Sequence, residues 1–213
     1  MKPVIAMDGP AGSGKGTIAK KLASHFNFAY LDTGMLYRAI AHLGIEVGKI
    51  EELSAAEILK TAREIPMSVL KSDIVGLKAS KIAKSPEIRE VMTRLQRDFV
   101  VCPGDNHRGS VLDGRDIGTV VIPDAVCKIF VTASPEIRAT RRFRSLKRNN
   151  DQITYAEVLE SLIARDKQDQ SREIAPLTLN DAYVVLDTSK ETVRESFLRA
   201  IKIVENSLKS VEP

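Results

Sequence analysis

The stretch "GPAGSGKGT", residues 9–17, constrains the fold more than any other part of the chain. It follows the apolar run "PVIAM" at 3–7, and after it Ile18, Ala19, Leu22, Ala23 and Phe26 recur at helical spacing. The order is therefore strand, loop, amphipathic helix. Gly9 and Gly14 permit backbone angles closed to other residues, so successive N–H groups can turn inward at a helix N-terminus and meet phosphate oxygens. Pro10, Ala11, Gly12 and Ser13 complete the cradle, and Lys15 adds a point charge for β and γ phosphates. Gly16 stands where many phosphate-binding loops place a hydroxyl on Mg²⁺, and the hydroxyl comes one residue later, at Thr17. The expectation is Mg²⁺ held largely through water and the substrates, with no side chain assigned as a direct metal ligand.

Four further short apolar runs have strand character, at 28–31, 110–113, 126–131 and 183–187, with helical patterns between them. Strands alternating with helices predict an α/β fold, a central parallel sheet covered on both faces that binds ligands at the carboxyl ends of its strands. A length of 213 residues suits one domain with a real core and leaves too little chain for two ordinary enzyme domains. The stretch from about 50 to 100 reads as helical, with Ser85 as N-cap before Pro86, and is expected to cover one edge of the sheet over the substrate.

Composition narrows the partners. "MKPVIAMDGP" has no apolar region of signal-peptide length, and no run approaches the roughly 18 apolar residues of a membrane span, so a cytoplasmic protein without membrane contact is expected. Cys102 and Cys127 lie far apart with no CxxC and suggest neither zinc nor a disulfide. A net charge of +4 fits either nucleic acid or a small polyanion. From Arg141 to Arg148 the run "RRFRSLKR" has five basic residues and no acid, and Arg138, Arg141 and Arg142 share one helical face. With only Phe143 inside the run, base stacking is poorly supported, and a lid that closes arginines onto a nucleotide is favoured.

Three other stretches carry polar groups to strand and helix ends. In "LDTGMLYRA", 31–39, a strand ends at Asp32 and a helix opens at Thr33, so Thr33 can cap that helix with Tyr37 and Arg38 one turn on. Arg38 is either a fork onto a phosphate or a surface residue. "LDGRDIG" sets Asp113, Arg115 and Asp116 at a strand's carboxyl end, as a ligand site or a structural ion-pair network. Past Tyr155 an apolar stripe gives way to Asp166 and Asp169, and helical geometry groups Arg165, Asp169 and Arg172 as a binding face or a solvated ion-pair face.

With "DGPAGSGKGT" these stretches, including "LDGRDIGTVVIPDA" and "ARDKQDQSREIAPL", closely resemble the bacterial cytidylate kinases, and their order and spacing cover most of the chain. The resemblance implies a P-loop three-layer fold in a single nucleoside monophosphate kinase domain. Its core would be about 1–50 and 105–213, its helical acceptor segment about 51–104 and its short basic lid about 141–155. The implied reaction transfers the γ-phosphoryl group of ATP to CMP or dCMP, with the catalytic set Lys15, Arg115, Arg165 and Arg172. Thr33, Tyr37, Arg38, Ser80 and Arg89 would contact the monophosphate, Arg115 and Asp116 the cytosine, Asp169 the ribose, and Arg165 and Arg172 the phosphate. Asp113 would order water around the metal, while Arg138 and Arg142 would reach ATP. The implied partners are small nucleotides only, for a monomer with no nucleic acid bound.

Between Pro66 and Ser72 most of an acceptor insert usual in resembling enzymes is missing, and Lys71 stands where Arg is common. The rival readings are a broad UMP/CMP kinase and a regulatory P-loop protein that binds RNA. The latter lacks a switch-like metal Thr and an NKxD motif.

Overall fold

The computed structural model describes residues 2–104, 106–147 and 152–210. Strand β1 (Val4–Asp8) is buried along its whole length, as a strand at the centre of a doubly covered parallel sheet must be. It is joined by β2 (Ala29–Asp32), β3 (Ser110–Asp113), β4 (Cys127–Thr132) and β5 (Val184–Asp187) in the order β2-β3-β1-β4-β5. Every pairing is parallel. The strands fall within a residue or two of the runs visible in the sequence. β1 sits between β3 and β4, so connections leave it toward opposite halves of the sheet, and a crevice opens at its carboxyl end.

Helix α1 (Lys15–Phe26) follows the glycine loop. Between β2 and β3 the chain runs through α2 (Thr33–Leu43), α3 (Val47–Ile50), α4 (Ala55–Arg63), α5 (Met67–Leu70), α6 (Asp73–Ile82) and α7 (Pro86–Val101). The expected cap is present at α7: Ser85 Oγ accepts from Ile88 N, with Pro86 at the first helical position. After β3 comes a short π-helix, Ile117–Val121. α8 (Pro135–Lys147) and α9 (Tyr155–Gln170) separate β4 from β5, and α10 (Val193–Lys209) ends the described chain.

Two cores sandwich the sheet. On one face Leu31, Leu36, Ile40, Ile58, Met92 and Leu112 join α2, α4 and α7 to the strands. On the other, Ile5, Met7, Leu22, Ile129 and Val204 pack α1 and α10. α8 and α9 form a small third cluster in which Ala139, Val158 and Leu162 close on Ala11 of the glycine loop. Among the described residues no helix is long and apolar enough to cross a membrane.

Two sequence expectations need correction. Asp32, and not Thr33, caps α2: its carboxylate accepts from Met35 N, which frees the Thr33 hydroxyl to donate to Asp113 O at 2.8 Å. The helix carrying Arg165 and Asp169 stops at Gln170 with Ser171 as its cap, so Arg172 projects from just beyond the helix end. Arg148 and the remainder of the proposed lid through 151 lie outside the described residues.

Candidate active site

The glycine loop takes its shape from positions that exclude side chains. Gly9 has φ 146°, and a Cβ there would stand 2.0 Å from Val131 O, so only glycine can leave β1 this close to β4. Gly14 is left-handed at φ 87° and caps α1 without a side chain, which leaves the first amides of α1 open to an anion. The loop's outward carbonyls are tied down: Ala11 O accepts from Arg138 Nη1 at 3.1 Å and Ser13 O from the Thr188 hydroxyl at 2.9 Å. Thr188 in turn accepts from Arg141 Nη1 at 2.9 Å.

Gly16 has a structural reason. Lys15 pairs with the Asp113 carboxylate at the end of β3, and a Cβ on Gly16 would lie 2.8 Å from Asp113 Oδ2. A side chain at position 16, the usual hydroxyl included, would have to push aside the carboxylate that holds the lysine. Gly16→Ser is therefore expected to displace Asp113, break its pairing with Lys15 and destabilise the ligand-free protein by about 1.5–3 kcal/mol, the worth of roughly one charged hydrogen bond. An unchanged melting temperature would contradict this reading of the loop.

The acceptor side is built around Asp169, which is 1% exposed. Arg115 Nε donates to its Oδ2 at 2.9 Å, Arg172 Nη2 pairs with Oδ1 and also donates to Ser80 Oγ at 3.0 Å, and Arg165 Nε stands 4.0 Å away. Burial alone would raise the Asp169 carboxyl, but the Arg115, Arg172 and Arg165 guanidiniums outweigh it and hold the group below the usual carboxylate range. Burial, followed by the charge of Arg115, pushes Arg165 down to about 9, with Asp169 acting the other way. A cation so crowded by like charge favours an incoming anion. Arg89 from α7 pairs with Asp116, whose carboxyl burial nonetheless raises. Arg38 donates from Nη1 to Leu70 O at 2.6 Å and Ser72 O at 3.0 Å, joining α2 to the turn before α6.

All these groups face one cavity of about 410 Å³ at the carboxyl ends of β1, β2 and β3. Its wall carries nine basic side chains against four carboxylates. Of the residues singled out in the sequence, Pro10 through Thr17, Thr33, Tyr37, Arg38, Ser80, Arg89, Asp113, Arg115, Asp116, Arg142, Arg165, Asp169 and Arg172 all line it. Gly9 and Arg138 do not. Gly9 shapes the loop from behind. Arg138, expected on ATP, is 3% exposed and spends its guanidinium on Ala11 O, on Ala133 O at 2.9 Å and on Asp166 at 2.6 Å. It braces the loop and does not touch the cavity. Sequence reasoning missed Lys20, Tyr30 and Asp32 on the wall, and Arg141, Asp166 and Thr188 behind it. Of these, Asp32 is legible in the sequence as a strand end, Asp166 as a polar break in the α9 stripe and Arg141 as part of the basic helical face, none of them with this role.

An open helix N-terminus and a strongly cationic cavity at the switch point of a parallel sheet define a P-loop phosphotransferase. Fold comparison agrees. A shikimate kinase from Bacteroides thetaiotaomicron superposes with a TM-score of 0.53 at 12% identity, covering 96% of this chain and 99% of that one. A structure from Eubacterium ventriosum gives 0.59 at 15%, with the same coverage. At such identities the likeness speaks for the fold alone.

The sequence is more specific. The cytidylate kinase family model matches residues 5–206. The cytidylate kinase of Methylocella silvestris is 47% identical, covering 96% of this chain and 94% of the relative, and that of Azorhizobium caulinodans 43% identical, covering 96% and 98%. The chain belongs to the cytidylate kinase family. Because these relatives are matched almost end to end, the short acceptor segment is not peculiar to this chain.

Proposed function

We infer that the protein transfers the γ-phosphoryl group of ATP to CMP or dCMP, giving ADP and CDP or dCDP, and that the cavity residues divide this work as follows. Donor phosphates lie on the glycine loop, with Lys15 moving from Asp113 to the β and γ oxygens. Arg165 and Arg172 grip the acceptor phosphate, and Arg115 and Arg142 add charge where it spreads over the equatorial oxygens. The acceptor phosphate is already an anion, so the reaction needs no general base. The protein supplies position, positive charge and exclusion of water. In domain terms the core is about 1–50 and 105–213, the acceptor segment about 51–104 and the lid about 141–155.

The observation that carries the choice of acceptor is the loop after β3, which presents Arg115 and Asp116 into the same cavity as the glycine loop. Cytosine offers an exocyclic amine as donor where uracil offers a carbonyl. A carboxylate at Asp116 accepts from the first and repels the second, which disfavours a broad UMP/CMP kinase. Thr33, Tyr37, Arg38, Ser80 and Arg89 shape the rest of the pocket, and Asp169 takes the ribose hydroxyls. Mg²⁺ fits as a companion of the nucleotide. Among the described residues no cluster of three or more His, Cys, Asp or Glu could cage it, and Gly16 offers no hydroxyl. Thr17 and Asp113 are the groups that would hold it, mainly through water, and it would neutralise phosphate charge.

Replacing Arg115 or Asp116 by Ala is expected to weaken CMP binding about ten-fold or more while ATP binding moves less than about two-fold. Equal losses for the two nucleotides, measured by calorimetry, would remove the base-recognition role.

A further inference from the structure

Asp8 is the last residue of β1, next to Gly9, and no part of it reaches solvent. Three donors converge on its carboxylate: Ile117 N on Oδ1 at 2.9 Å, and Gly118 N at 2.8 Å and the Tyr183 hydroxyl at 2.7 Å on Oδ2. The two amides are the first of the π-helix Ile117–Val121, whose own flanking residue Asp116 provides no side-chain cap. The cap thus comes from another strand, 109 residues earlier in the chain. π-Helical turns are rare and cluster at functional sites. This one begins directly after Arg115 and Asp116.

We propose that Asp8, with Tyr183, is a positioning residue that fixes the acceptor-binding loop to the strand from which the phosphate loop springs. The proposal rests on the assignment of Arg115 and Asp116 to the acceptor base. The segment is pinned on both sides of those residues. Upstream, Gly114 N donates to Met7 O at 2.9 Å and Thr33 holds Asp113 O; downstream, Asp8 holds Ile117 and Gly118. Gly118 itself must lack a side chain, since a Cβ there would stand 2.7 Å from the Tyr183 hydroxyl. An apolar residue in place of Asp8 would suit a purely packing role in so buried a position, but it would orphan two amides. A carboxylate, despite its desolvation, satisfies both at once. Donor and acceptor loops are then referred to one strand, so their separation does not depend on the helices that close over them.

The test is steady-state kinetics of Asp8→Asn and Tyr183→Phe, well below each variant's melting point, beside Asp116→Asn. The two amides use different carboxylate oxygens, and an asparagine replaces one of these with an NH2 that can only donate. Asp8→Asn is expected to raise KM for CMP about ten-fold with KM for ATP within about two-fold, and Tyr183→Phe to move it about three-fold in the same direction. The preference for CMP over UMP should fall in both. A lowered Tm with an unchanged KM for CMP would make the network merely structural and overturn the proposal. If Asp8→Asn does not fold, Tyr183→Phe decides by the same criterion. Asp116→Asn separates the layers: if it raises KM for CMP while the other two do not, positioning fails and the base assignment stands. If Asp116→Asn leaves KM for CMP unchanged, both fall.

Discussion

Lys15→Met is expected to cut turnover by about 10²–10³-fold, the usual cost of losing one charged group aimed at developing negative charge. Methionine keeps the length and apolar stem of lysine, so the fold should survive. Its stability should not be untouched, because Lys15 and Asp113 form a buried pair and removing one partner strands the other, at a cost of roughly 3–5 kcal/mol. Among the described residues, the Asp113 carboxylate would keep the Tyr30 hydroxyl, at 3.2 Å, as its side-chain partner. Adding Asp113→Asn to Lys15→Met should therefore recover much of the melting temperature without recovering turnover. Recovery of both would mean that the lysine serves the fold and not the phosphates.

The second large effect is expected at Asp169. Its carboxylate gathers Arg115, Arg165, Arg172 and Ser80 from three separate segments, and Asp169→Ala leaves those cations facing one another. A charged hydrogen bond to a ribose hydroxyl is worth roughly 1.5–3 kcal/mol, so KM for CMP should rise by tens-fold while KM for ATP barely moves. The 2′,3′-dideoxy analogue separates the explanations. If Asp169→Ala penalises it as heavily as CMP, the carboxylate orders the arginines and does not meet the ribose. There is also a signature in acid. The folded carboxyl titrates below its unfolded value, so its stabilisation is complete above the ordinary carboxylate range and is lost as the pH falls through the folded value. Asp169→Ala should correspondingly blunt the loss of stability in acid.

What the sequence made legible follows from range. The strand, loop and helix around Lys15 are local, each step written in adjacent residues, and the structure reproduces them. So is the capping of α7 by Ser85. Sequence reasoning misplaces the cap of α2 onto Thr33, with Asp32 read as no more than the end of the strand, although both residue types cap well. The decision came from Asp113 O, 80 residues away, which claims the Thr33 hydroxyl. Arg138 and Arg142 share a helical face, yet only the packing of α9, with Asp166 opposite Arg138, makes the first a buried brace and leaves the second on the cavity. Asp8 carried no signal at all. A carboxylate ending an apolar strand looks ordinary until Gly118 and Tyr183, 110 and 175 residues on, are brought to it.

The central claim is the acceptor, and the most direct test is ADP formation from ATP measured with CMP, dCMP, UMP and AMP in parallel. The account predicts turnover with CMP and dCMP, much weaker turnover with UMP because a carbonyl meets the Asp116 carboxylate, and none above background with AMP. Equal rates with UMP and CMP would contradict the base assignment, and no ADP with any of the four would contradict the kinase itself.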